Sequence, residues 1–152
     1  MITKRENIKI ETDSPEETKL FGESLAKILI VHDVLSFGGV LGAGKTCLIK
    51  GIASGLGIED DAVKSPSFTL INEYEGKIPL YHFDLYRMKD STELHNIGWD
   101  DYLMRDGIVA VEWGEKAEDQ MPENRIDIDI EIISETKRKL KIRFNGQSFF
   151  NE

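Results

Sequence analysis

A chain of 152 residues with 40% hydrophobic content is long enough to bury one core and too short for two ordinary domains, so a single domain is expected. Its 28 acidic residues outnumber its 19 basic ones, and a formal net charge of −9 argues against unaided binding to a nucleic-acid backbone. No apolar run approaches membrane-spanning length and the first residues lack the apolar stretch of a signal peptide, so the expectation is a soluble, cytoplasmic protein.

In chain order, Asn7 to Ile10 suggests a short strand. Ser14-Pro15-Glu16-Glu17 is a capping box with proline at the first helical position, opening an amphipathic helix that the pattern carries to about Ile30. Val34 to Phe37 reads as a buried strand and Cys47 to Leu56 as a helix, with Gly57 as its C-terminal cap. Leu70 to Tyr74 and Ile78 to Asp84 flank Glu75-Gly76-Lys77 as a strand pair. Two short helical pieces follow, Asp90 to Asn96 and Asp100 to Arg105, and then Ile108 to Val111, an apolar run ending in Glu112 that reads as a central strand buried on both faces.

The last third alternates with period two. Ile126, Ile128, Ile130 and Ile132 share one face, while Asp127, Asp129 and Glu131 share the other; Leu140, Ile142 and Phe144 then alternate with Lys139, Lys141 and Arg143. Residues directly opposite in an antiparallel pair point to the same face, so pairing these acids with these bases requires residue numbers with an even sum. The connection must then hold an odd number of residues, three or five within Ile133 to Lys139, with Glu131 opposite Lys139 or Lys141. Such cross-strand pairing accounts for much of the basic run from Lys137 to Arg143 without a ligand.

Between Gly39 and Thr46 the chain matches the phosphate-loop pattern G-x-x-x-x-G-K-[ST], and it does so between a strand and a helix N-terminus. Gly42, Ala43, Gly44, Lys45, Thr46 and Cys47 are therefore the candidate nucleoside triphosphate contacts: backbone N–H groups and the helix dipole face the anion, Lys45 reaches the terminal phosphates, and the Thr46 hydroxyl is a Mg²⁺ ligand. Cys47 is the only cysteine, which excludes an internal disulfide, and it reads as a small packing residue. Hydrolysis needs a further carboxylate at the end of a buried strand, and Glu112 leads, with Asp84 second. The dinucleotide fingerprint G-x-G-x-x-G fails at Cys47, and no guanine-reading Asn-Lys-x-Asp occurs. A stand-alone nucleotide or small-molecule kinase is the alternative, although the six arginines are scattered and three of them fall in the C-terminal hairpin region. His32, His82 and His95 have no metal-ligand spacing and read as packing or surface residues.

Four segments in series, Gly42-Ala-Gly-Lys-Thr46, Lys64-Ser-Pro-Ser-Phe-Thr69, Tyr81-His-Phe-Asp-Leu-Tyr-Arg87 and Val111-Glu-Trp113, resemble the bacterial tRNA threonylcarbamoyladenosine biosynthesis ATPases, the TsaE (formerly YjeE) family. The resemblance covers nearly the whole chain. It implies a P-loop NTPase-like three-layer α/β fold with a mixed central sheet and a C-terminal antiparallel hairpin. It also implies an ATP- and Mg²⁺-dependent hydrolase that works with the TsaB and TsaD proteins in t6A37 modification and meets tRNA only indirectly. By the same resemblance Lys45 serves the phosphates, Thr46 and Glu112 the metal, Asp84 catalysis or the metal's surroundings, and Thr69 acts as a switch-like residue near the terminal phosphate. Glu16, Thr18 and Lys137 would border the adenine and ribose. Trp113 lies beside the catalytic acid, with site and core-packing roles equally open. Cys47 stands where relatives often have threonine.

Overall fold

The computed structural model describes residues 2, 4–39, 44–59 and 70–146. Residues 40–43, with the candidate contacts Gly42 and Ala43, and residues 60–69, with Thr69, lie outside the described residues. The described elements are β1 (Ile8–Thr12), α1 (Pro15–Ala26), β2 (Val34–Gly38), α2 (Lys45–Gly55), β3 (Ile71–Tyr74), β4 (Leu80–Asp84), α3 (Thr92–Asn96), α4 (Trp99–Met104), β5 (Ile108–Glu112), a 3₁₀ segment Gly114–Gln120, β6 (Arg125–Ile132) and β7 (Arg138–Asn145).

Seven strands form one mixed sheet in the order β1-β7-β6-β2-β5-β4-β3. The apolar strand β5, buried along its whole length, sits between β2 and β4 and is parallel to both. On one face Leu35, Phe37, Ala110, Ile126 and Ile128 pack beneath α1 and α2. On the other Val34, Tyr81, Phe83, Val109 and Val111 meet Trp99 and Tyr102 of α4, with Phe83 set edge-on to both aromatic rings. Helices on both faces of a mixed sheet, with a C-terminal antiparallel hairpin lying between β1 and β2, make the three-layer α/β fold that the resemblance implies.

Helix α1 begins as expected and ends early. The Ser14 hydroxyl accepts from the Glu17 N–H at 3.1 Å, and the Glu17 carboxylate reaches back to the Asp13 N–H at 3.2 Å, closing the capping box one residue upstream of its usual partner. The helix stops at Ala26 rather than near Ile30 because the groups that would extend it are bonded elsewhere. Arg5 donates to the Ile28 carbonyl at 2.7 Å and forks onto Asp33, whose carboxylate in turn accepts from the Ile30 N–H at 2.8 Å. Amphipathic periodicity continues past Ala26, but this ion pair takes the backbone groups needed for another turn.

The C-terminal hairpin follows the parity argument. Ile132 opposes Arg138, leaving a five-residue connection 133–137, and Glu131 opposes Lys139, Asp129 opposes Lys141 and Asp127 opposes Arg143. β7 also pairs with β1, which forms the sheet edge.

Helices α1 and α2 touch backbone to backbone. A Cβ on Gly22 would lie 2.6 Å from the Leu48 carbonyl oxygen, and one on Gly51 would overlap the Lys19 carbonyl outright. Alanine is favoured over glycine by up to about 1 kcal/mol in an open helix, but overpacking against a fixed backbone costs about 1–3 kcal/mol. Gly51→Ala is therefore expected to lower stability by about 2 kcal/mol in urea unfolding. An unchanged midpoint would mean that the helices can separate.

Candidate functional site

Parallel register lines up the C-terminal ends of three strands. Phe37, the penultimate residue of β2, pairs with Glu112 at the end of β5, and Glu112 pairs with Asp84 at the end of β4. Because side chains alternate, His82 and Asp84 on β4 and Ala110 and Glu112 on β5 share the face covered by α1 and α2. Ligand sites in open α/β sheets lie beyond such strand ends.

Gly44 to Thr46 are the part of the candidate phosphate loop that the structure describes. Gly44 occupies the N-cap of α2 with φ +106°, a left-handed conformation suited to glycine, and no side chain caps the helix. The first turn of α2 also carries no acidic residue, so no carboxylate of the helix itself answers the positive end of its dipole. Lys45 is only 6% exposed, and its Nζ has no hydrogen-bond partner among the described residues. It lies over the Trp113 ring, 4.0 Å from the centroid, a contact that attracts a cation but accepts no hydrogen bond. Burial holds the Lys45 ammonium below its usual pKa, countered by the charges of Glu112, Glu115 and Asp84. Phosphate oxygens would supply the missing acceptors and the missing negative charge, so these residues fit a polyphosphate.

The acids are held by their own partners. Glu112 is buried, and its Oε2 accepts from His82 Nε2 at 2.7 Å. Asp84 accepts the Tyr86 N–H at 3.0 Å. Burial pushes the Asp84 carboxyl above the usual aspartate range; the Tyr86 N–H opposes that shift, Glu112 adds to it, and His82 and Lys45 oppose it. Thr46 is half-buried in the first turn of α2, and its hydroxyl with the Glu112 and Asp84 carboxylates would give a donor set of oxygens alone. That set fits Mg²⁺, which is commonly held by one or two carboxylates together with substrate phosphates and water. No group of three or more His, Cys, Asp or Glu side chains forms a metal cage among the described residues.

Trp113 follows Glu112 with φ +63°, a left-handed conformation unusual for a bulky residue. The turn lays the indole between Lys45 and the Tyr86 ring, whose centroid is 5.1 Å away. Of the two roles left open by the sequence, Trp113 shows features of both: it packs against the core cluster that holds Phe83 and Val111, and its ring lies against Lys45. His82 is packed in the interior, one of the two placements the sequence suggested, but it also makes a contact the sequence reading did not foresee. It is wholly buried and bonded to the leading candidate acid. The signal was available: His82 lies two residues before Asp84 on a strand and must share its face.

The three expected nucleotide-base contacts gather around the start of α1 and the hairpin connection, a corner that touches the first turn of α2. Glu16 is exposed in the first turn of α1, and Lys137 in the hairpin connection lies 3.9 Å from Asp13. The buried Thr18 hydroxyl meets Thr12 Oγ1 at 2.7 Å and the Ser14 carbonyl at 3.2 Å. Cys47 connects this corner to α2, its thiol donating to the Pro15 carbonyl at 3.0 Å.

The raised Asp84 pKa carries a stability consequence. For a carboxyl whose folded pKa exceeds its unfolded value of 3.8, the associated stabilisation is present at low pH and is lost as pH rises through the folded value. Asp84→Asn keeps the acceptor for Tyr86 and removes the penalised charge. Its thermal midpoint in nucleotide-free buffer is expected to exceed wild type at pH 7, with the advantage vanishing as pH falls toward 3.8; an equal or lower midpoint at pH 7 would contradict this.

Comparison with known proteins identifies the family. The family model described as threonylcarbamoyl adenosine biosynthesis protein TsaE matches residues 12–140. The chain is similar to the tRNA threonylcarbamoyladenosine biosynthesis protein TsaE of Bacillus subtilis, with 41% identity across 93% of this chain and 89% of the relative. It is similar to the protein of that name from Aquifex aeolicus, with 42% identity across 86% and 91% of the two chains. The crystal structure of Bacillus subtilis YdiB superposes with a TM-score of 0.78 at 36% identity, covering 95% of this chain and 89% of the other. With a matching family model, relatives aligned over most of their length and the same fold, the chain belongs to the TsaE family.

Proposed function

We propose that this chain is a Mg²⁺-dependent ATP hydrolase of N6-threonylcarbamoyladenosine synthesis, acting in the cytoplasm with the TsaB and TsaD proteins and meeting tRNA through them. The role in this modification is supported by family membership. The hydrolase assignment is carried by one observation: a buried Lys45 ammonium without a hydrogen-bond partner among the described residues, at the uncapped N-terminus of α2 and close enough to feel the charge of Glu112. The acidic composition supports an indirect route to tRNA, since a net charge of −9 repels a phosphate backbone.

In this reading Lys45 and the first N–H groups of α2 bind the terminal phosphates and stabilise the charge that develops on them. Thr46 and Glu112 would hold Mg²⁺, which supplies positive charge to the phosphate oxygens. Asp84, beside Glu112 in register, orients the water whose oxygen bonds to the terminal phosphorus as the bond to the bridging oxygen breaks, giving ADP and phosphate. Trp113 shields Lys45 from solvent and strengthens its attraction for the phosphates.

Glu112→Gln is expected to keep ATP binding while lowering hydrolysis by roughly two orders of magnitude, a size typical for the loss of one positioned catalytic group. Phosphate release is measured with and without TsaB and TsaD. Stimulation by those two proteins supports the assignment. Turnover that depends instead on an added small acceptor would favour a kinase, and wild-type turnover in Glu112→Gln would move the role to Asp84.

A further inference from the structure

Lys45 and Glu112 are buried and opposite in charge, and Lys45 lies 4.0 Å from the ring centroid of Trp113, the residue that follows Glu112, yet Lys45 Nζ has no hydrogen-bond partner among the described residues. In a low-dielectric site such groups attract strongly, and a direct ion pair would satisfy both. Instead Glu112 is bonded to His82 at 2.7 Å, and Lys45 rests on the face of Trp113 at 4.0 Å. The other anions acting on Lys45 are also diverted: Asp84 accepts the Tyr86 N–H, and Glu115 is exposed to solvent.

We propose that His82 is a positioning residue that keeps Glu112 turned away from Lys45, so that the ammonium remains available to an incoming phosphate group. The proposal rests on the phosphate-binding reading of Lys45. His82 suits the task because it is rigidly placed. It lies on β4, whose neighbour β5 carries Glu112, and it is entirely enclosed. Its Nε2–H points to the carboxylate, and a tautomer with the hydrogen on Nε2 leaves no buried N–H stranded at Nδ1, which has no hydrogen-bond partner among the described residues. Without this donor, the most favourable partner for the Glu112 oxygen is the Lys45 ammonium. A phosphate must then displace a carboxylate before it can bind.

The test measures affinity rather than turnover. Titration calorimetry with a non-hydrolysable ATP analogue in EDTA keeps the proposed metal role of Glu112 out of the result. His82→Leu removes the donor at similar volume and is expected to weaken binding about tenfold. Glu112→Gln cannot form the competing ion pair and is expected to bind at least as tightly as wild type. The double variant His82→Leu/Glu112→Gln should recover to within about twofold of Glu112→Gln, a rescue that a merely structural role for His82 would not produce. A double variant as weak as His82→Leu, or no loss in His82→Leu, would overturn the proposal. Should His82→Leu fail to fold, His82→Gln and His82→Asn decide. Glutamine places an N–H near the former Nε2 and should bind like wild type, whereas asparagine falls short and should bind weakly; equal affinities would again overturn it. Lys45→Ala serves as the reference. Wild-type affinity in that variant would overturn the phosphate-binding reading itself and this proposal with it, an outcome separable from failure of the His82 series.

Discussion

Parallel pairing of β2, β5 and β4 is the constraint from which the site follows. Strands that run the same way end on the same edge, so the residue entering the phosphate loop and the two carboxylates arrive together without any side chain having to direct them. The register also decides which side chains share the face under α1 and α2. A one-residue slip of β4 would turn His82 and Asp84 toward the opposite layer and bring Tyr81 and Phe83 into the site.

Parts of this arrangement are legible in the sequence because they are local or periodic. The strand, loop and helix around Lys45 are marked by glycine placement and a change of hydrophobic period, and the hairpin register follows from the parity of Glu131 and Lys139. The resemblance to the TsaE family, carried by four separated motifs, also agrees with the comparisons. What escapes is non-local. The early end of α1 depends on Arg5 and Asp33, residues 28 apart in the chain that meet only after folding. The His82–Glu112 bond joins residues 30 apart, and a lone histidine beside aromatics has no spacing that declares a function. The closeness of α1 and α2 rests on Gly22 and Gly51, whose shared purpose is visible only once the helices are crossed.

The site concentrates charge where the fold can least hydrate it. Lys45 and Asp84 are each shifted toward their neutral forms by burial, in opposite directions on the pH scale, as expected of groups held ready for a charged ligand. Polar networks elsewhere are more self-contained. Arg105 reaches Glu73 and Asp101, and Arg125 reaches Glu118 and Asp127, so these surface cations already have nearby anions. The contrast lies in the partners: these arginines have carboxylates within reach, whereas Lys45 Nζ has no hydrogen-bond partner among the described residues.

The glycine contact between α1 and α2 has a mechanical meaning. Where side chains separate two helices, rotamer changes can absorb a small displacement, but here backbone meets backbone and no such cushion exists. A tilt of α2 set off at Lys45 would therefore be passed to α1 almost undiminished, and Cys47 already fastens the two helix starts together. Helix α1 leads back through Ser14 to β1, the open margin of the sheet and the element farthest in strand order from β4. The helix pair is thus a stiff coupling between the start of α2 and β1, one of the two edge strands of the sheet.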